Sequence, residues 1–191
     1  MDRPSEHEIA AMLARLSDYA YVQVRSGVHD LRRLRELIRE AAATEISDPE
    51  RAGEVARAVL SREMQDWHDE AGRWGARTDC DRLDRALGQI ADEGILVLPG
   101  LVDERSLAES VRVRDSEEGC VAYLVTDIWR AIDSNALGLT VLDGDGQVAG
   151  RRCVLLRRVI DVLGDAGLLG SVGAADGHVD VAMVWRRRPP Q

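Results

Sequence analysis

The chain contains no lysine and no phenylalanine, and its 191 residues include only three cysteines and five prolines. Each scarcity closes a class of function. A Walker-type phosphate loop needs a lysine on the terminal phosphates, so that mode of nucleotide binding is excluded. Aromatics make up 4% of the chain, and only Tyr123 and Trp185 sit in strand-like stretches where they could form a stacking platform for RNA. Core packing explains both more simply. Cys80, Cys120 and Cys153 are odd in number and far apart, which argues against a disulfide framework and for a reducing cytoplasm. No apolar run approaches the roughly 18–20 residues that a membrane span requires. The opening "MDRPSEHEIAAM" has neither the basic nor the apolar segment of a secretory signal.

What is present is charge. All 25 basic residues are arginine against 34 acids, for a net charge of −9. Arginine without lysine points to a high-GC bacterial genome. The negative balance opposes nonspecific attraction to nucleic acid. The only dense basic run, Arg186–Arg188, is expected to be a solvated tail at the end of a strand.

The first part of the chain has helical periodicity. Ser5 and Glu8 fit a capping box, and Ile9, Met12, Leu13, Leu16 and Tyr19 follow at helical spacing. Gly27 ends that pattern, and Asp30 can cap a second helix with Leu31, Leu34, Leu37, Ile38 and Ala41 on its apolar face. Asp48–Pro49 starts a third, because proline in the first helical turn forfeits no hydrogen bond. Further on, Thr78 with Asp81 predicts another cap, and Gly94 is placed to close that helix in a left-handed conformation. After Gly94 the pattern alternates. Strands are expected at Ile95–Leu98, Cys120–Thr126, Leu137–Leu142, Leu168–Val172 and Val179–Trp185, the last two as an antiparallel hairpin. The fold class that follows is α+β. A helical region over residues 1–77 precedes an α+β domain over 78–191, with four or five mostly antiparallel strands and helices on one face. The two regions are expected to pack as one unit.

Candidate chemistry is sparse. Cys80 lies at a helix start, where the dipole favours thiolate, but Asp79 and Asp81 flank it and oppose that shift. Both aspartates are accounted for as first-turn acids. The pairs His29-Asp30 and His68-Asp69 resemble fragments of helical metal-dependent phosphohydrolase sites, which makes His29, His68 and Asp69 the candidate metal ligands. His178-x-Asp180 falls at a turn with no third ligand nearby. "DGDGQVAG" fails as a calcium loop, since positions six and twelve from Asp143 are Val148 and Val154. There is no Gly-x-Ser-x-Gly nucleophile elbow and no dinucleotide-binding glycine pattern in a strand–turn–helix context.

The stretch "TDCDRLDRALGQIADEGILV", preceded by a helix ending in Trp74, resembles a family of small proteins from high-GC bacteria classed as a domain of unknown function. The likeness rests on Trp74, Thr78, Asp79, Cys80, Asp81, Arg82, Leu83, Asp84 and Gly94, with weaker agreement at "YVQVRSGVHD" and at the closing "WRRR". Members of that family carry a cysteine-rich stretch after the Gly-Ile turn, where this chain has Leu98-Pro99-Gly100-Leu101. The resemblance therefore implies a cytoplasmic α+β protein and carries over no metal or redox role. These readings favour a non-catalytic bacterial protein that needs no cofactor and acts by binding another protein. Self-association is compatible with it, and membrane and nucleic-acid partners are not expected. A metal-dependent hydrolase using His29, His68 and Asp69 is the alternative.

Overall fold

The computed structural model describes residues 5–114 and 118–189, so the outermost ends of the two expected regions lie outside the described residues. Two compact units divide the chain, one of Met1–Trp74 with Arg188–Gln191 and the other of Gly75–Arg187.

In the first unit, helices α1 (Glu6–Ser26), α2 (Leu31–Glu45) and α3 (Pro49–Ala71) follow one another through short turns. Their starts are the expected ones. Ser5 and Glu8 close a capping box, Asp30 accepts the Arg33 backbone N–H, and Asp48 accepts from Glu50 and Arg51 ahead of Pro49. Gly27 leaves α1 at φ 66°, a conformation that costs glycine least. The shared core consists of Leu16, Ala20 and Val24 from α1, Leu34, Ile38 and Ala42 from α2, and Ala52, Ala56, Val59, Leu60 and Trp67 from α3. Four alanines in that set let the backbones approach closely. The buried face of α1 lies further along the helix than the periodicity suggests: Leu13 is 38% exposed, while Arg25 is buried. Leu31, expected in the α2 stripe, is 43% exposed.

The second unit contains α4 (Asp79–Asp92), β1 (Leu96–Leu101), α5 (Glu104–Arg114), β2 (Cys120–Leu124), α6 (Val125–Ser134), β3 (Ala136–Leu142), α7 (Val154–Asp165), β4 (Leu169–Val172) and β5 (His178–Ala182). The five strands form one sheet in the order β1-β2-β3-β5-β4. Only β1–β2 is parallel; the other three pairings are antiparallel, and β4–β5 is the expected hairpin. The architecture is α+β.

Alternation along the strands separates two faces. Val121, Tyr123, Leu137, Leu139, Val141, Val179 and Val181 join Leu83, Leu87 and Ile90 of α4 and Leu156, Val159 and Leu163 of α7 in the main core. The intervening Cys120, Ala122 and Leu142 face the other way and meet Leu107 of α5 in a smaller cluster with Leu98. Helices α4 and α7 thus share one face as expected, and α5 adds cover on the other.

Two local outcomes differ from the periodicity. Strand β1 continues through Pro99–Gly100 rather than stopping there, with a register shift between Leu98 and Leu101. Proline is tolerated because β1 is an edge strand, where its missing N–H breaks no ladder. Val125 and Thr126, expected to end a strand, begin α6 instead. The Asp127 carboxylate accepts the Leu124 backbone N–H at 2.9 Å and caps that start.

Candidate functional site

The "TDCDRLD" segment forms the first turns of α4, and its polar groups are engaged one by one. Thr78 and Asp81 form a reciprocal cap: the Asp81 carboxylate accepts the Thr78 N–H at 2.7 Å, and the Thr78 hydroxyl accepts the Asp81 N–H at 3.2 Å. One Asp79 oxygen pairs with Arg82 at 3.1 Å, and the other accepts the Val184 backbone N–H at 3.0 Å. Asp84 takes both nitrogens of the Arg187 fork, at 2.6 and 3.0 Å. Leu83 is fully buried in the core. Gly94 has φ 86°, the left-handed value expected of it.

Cys80 completes the pattern. It is 1% exposed, and the Arg186 backbone N–H is directed at its sulfur. Burial, with smaller contributions from Asp84 and Asp81, pushes the thiol up to about 12 against the lowering effect of Arg187 and that N–H. Such a thiol is not a nucleophile at neutral pH. The same segment of α4 therefore grips Val184, Arg186 and Arg187 in succession. Arg187 also lies 5.4 Å over the Trp185 ring, and Trp185 meets Tyr123 edge-on at 6.3 Å. Of the expected solvated tail, Arg186 and Arg188 are exposed, and the reading is corrected at Arg187, which holds an ion pair with its side chain only 26% exposed. The acid excess at Asp79, Asp81 and Asp84 was the available signal that a cation from elsewhere would be needed. Trp74 belongs to the first unit and packs, half-buried, against its core.

The candidate metal ligands do not form a set. His29 precedes α2 and is half-buried; burial, then the nearby Arg33 charge, lowers its pKa. His68 and Asp69 are exposed on α3, where the His68 Nδ1–H donates to the Met64 carbonyl at 2.7 Å and Asp69 accepts from Gln65 at 2.9 Å. Among the described residues, no three or more His, Cys, Asp or Glu side chains are grouped so as to hold a metal ion.

One charged arrangement had no sequence signal. Arg25, 6% exposed, donates two bonds to Glu70 at 2.9 and 3.3 Å, donates a third to the Glu63 carbonyl at 3.2 Å, and lies 4.6 Å over Tyr21. A buried guanidinium needs several acceptors to offset its lost hydration, and this one has them. The Glu63 carboxyl beside it is pushed up by burial, with Asp66 and Glu70 adding to the shift and Arg25 opposing it.

Two larger depressions lie elsewhere among the described residues. One, of about 760 Å³, lies on the α5 face of the sheet between α5, the start of α6 and the 143–148 turn. Its floor carries Thr140 and Leu142, and its polar groups include His178, Asp127 and Arg130. Asp127 and Arg130 are bound to each other, and Gly138 leaves room for them: a Cβ there would lie 3.2 Å from Arg130 and 3.3 Å from Asp127. Their charges thus neutralise one another. The other depression, about 770 Å³, is a groove between α2 and α3. Leu31, Leu60 and Met64 line it together with Arg35, Arg57, Ser61, Gln65 and His68. No carboxylate is among those residues, although the chain as a whole carries 34 acids.

Residues 10–189 match the protein family described as a domain of unknown function (DUF6891), and the chain belongs to that family. This agrees with the expected membership of a family classed in that way. No curated protein and no solved structure matches the chain. Among the described residues, no helix is long and apolar enough to cross a membrane.

Proposed function

We propose that this is a non-catalytic bacterial protein of the cytoplasm that works by binding another protein. The groove between α2 and α3 carries this reading. Its cationic side chains stand over an apolar floor and are not consumed by ion pairs among the described residues: Arg57 donates only to the Gly53 carbonyl of its own helix at 3.1 Å. The residues that first suggest chemistry are occupied elsewhere. The α4 acids hold backbone and Arg187, and Cys80 is buried with a raised pKa. An apolar floor with charged walls suits a macromolecular surface, since the floor supplies burial and the walls supply orientation.

The test is purification of the tagged full chain from its host beside an Arg35→Glu/Arg57→Glu variant. A partner that co-elutes with the first and is lost from the second is the expected result. Elemental analysis of the same preparation addresses the hydrolase alternative. A stoichiometric transition metal that disappears in His68→Ala, with no groove-dependent partner, would replace the binding reading.

A further inference from the structure

We infer that the occupant of the α2–α3 groove is an acidic amphipathic helix of the partner. This rests on the reading that the protein works by binding another protein through that groove. Three features of the groove select such a segment. The first is length. The α3 wall runs from Arg57 to His68, about 17 Å at the helical rise of roughly 1.5 Å per residue, which matches three turns of a docked helix. The second is the floor. Leu60 is buried and Met64 half-buried, while Leu31 keeps 43% of its surface exposed although it begins a helix whose Leu34, Ile38 and Ala42 reach the core. An apolar stripe with i, i+3, i+4 and i+7 spacing would cover them.

The third feature is charge. Arg35 comes from the α2 wall and Arg57 from the α3 wall, so a cation stands on each side of the floor, and His68 adds a polar ring to the α3 side. His68 commits Nδ1 to the Met64 carbonyl, which directs Nε2 away from its own helix backbone. Carboxylates on the flanks of a docked helix would meet these groups, whereas lysines and arginines there would be repelled. Asp69, next to the groove residue His68, accepts from the Gln65 amide at 2.9 Å and does not itself line the groove. A chain of net charge −9 as a whole repels acidic partners, so an acidic helix gains by pairing with Arg35 and Arg57 in a groove lined by no carboxylate.

The experiment is a selection of randomised 18-residue helices displayed against the full chain, followed by Kd measurements on synthetic peptides. Enriched sequences are expected to be net acidic with a helical apolar stripe. They should bind Arg35→Glu/Arg57→Glu at least tenfold more weakly and lose affinity as salt rises. Peptides with the acids exchanged for lysine should bind that variant better than they bind the unaltered chain. Arg35 and Arg57 are exposed, so the variant keeps its fold, which circular dichroism checks. Enrichment of basic or uncharged helices would overturn the inference, as would acidic helices that bind the variant undiminished. Decanoate binding in the groove, removed by the variant, with no peptide enriched, would overturn it in favour of a lipid anion. Any of these outcomes, beside a co-purifying partner lost on Arg35→Glu/Arg57→Glu, would leave the protein-binding reading standing while removing the acidic helix from it.

Discussion

Asp84 in the second turn of α4 and Arg187 near the end of the chain, 103 residues apart, are joined by two parallel hydrogen bonds. A bidentate guanidinium–carboxylate pair fixes orientation as well as distance. It therefore ties the segment after β5 to the helix that opens the second unit. Asp84 is half exposed, so solvent screens the pair and its coupling should be modest. A double-mutant cycle of Asp84→Asn and Arg187→Met in urea unfolding is expected to give about 1 kcal/mol. The single-bonded surface pair Arg33–Glu36, at 3.2 Å, should give a clearly smaller coupling. Equal couplings would deny the clamp any special role.

The three thiols should separate by exposure. Cys153 is half-buried, whereas Cys80 and Cys120 are each 1% exposed. Burial pushes Cys80 up to about 12 and Cys120 up to about 11, so neither forms thiolate near pH 8. Ellman's reagent at that pH should modify Cys153 first, with the other two following only at the unfolding rate. Rapid modification of a Cys153→Ser variant would show that a buried thiol is reachable.

Glu63 should make stability fall as pH rises. Burial raises its folded-state pKa above the unfolded value, so the folded state holds the proton more tightly. Its contribution is intact below the unfolded pKa of about 4.3 and is lost as pH climbs through the folded value. Glu63→Gln should therefore raise Tm at pH 7 and change it little at pH 4. Lower stability of the variant at pH 7 would mean that the charge on Glu63 is worth more to Arg25 than its desolvation costs.

Gly119 and Gly88 should respond oppositely to alanine. At Gly119, φ is 108° and a Cβ would lie 2.5 Å from the Leu142 carbonyl oxygen and 2.6 Å from the Leu155 side chain. Backbone cannot yield as a flexible side-chain end can, so Gly119→Ala should cost at least about 2 kcal/mol. Gly88 is exposed within α4, and a Cβ there meets nothing within 4 Å. Gly88→Ala should stabilise by about 0.5–1 kcal/mol in the same urea titration, because alanine loses less backbone freedom.

Much of the fold is legible because capping is local chemistry. Ser5 with Glu8, Asp48 with Pro49, and Thr78 with Asp81 each satisfy backbone groups within a few residues, and all are found as expected. The left-handed Gly94 and the β4–β5 hairpin are short-range in the same sense. The groove was not legible. Leu31 fits a buried stripe by periodicity, and only the course of α3 decides that it stays open beside Arg35 and Arg57. Nor was the burial of Arg25 visible, since its acceptors lie 38 and 45 residues downstream.

Sequence alone therefore determined where α1 to α4 start, where most strands lie, and that no lysine chemistry is available to this chain. Tertiary structure alone decided what faces water. It buried Arg25, engaged Arg187, closed the core over Cys80, and left a basic groove between two helices of an acidic protein. The physical reason is range: a cap is satisfied within one turn, whereas desolvation and charge pairing depend on residues that only the fold brings together.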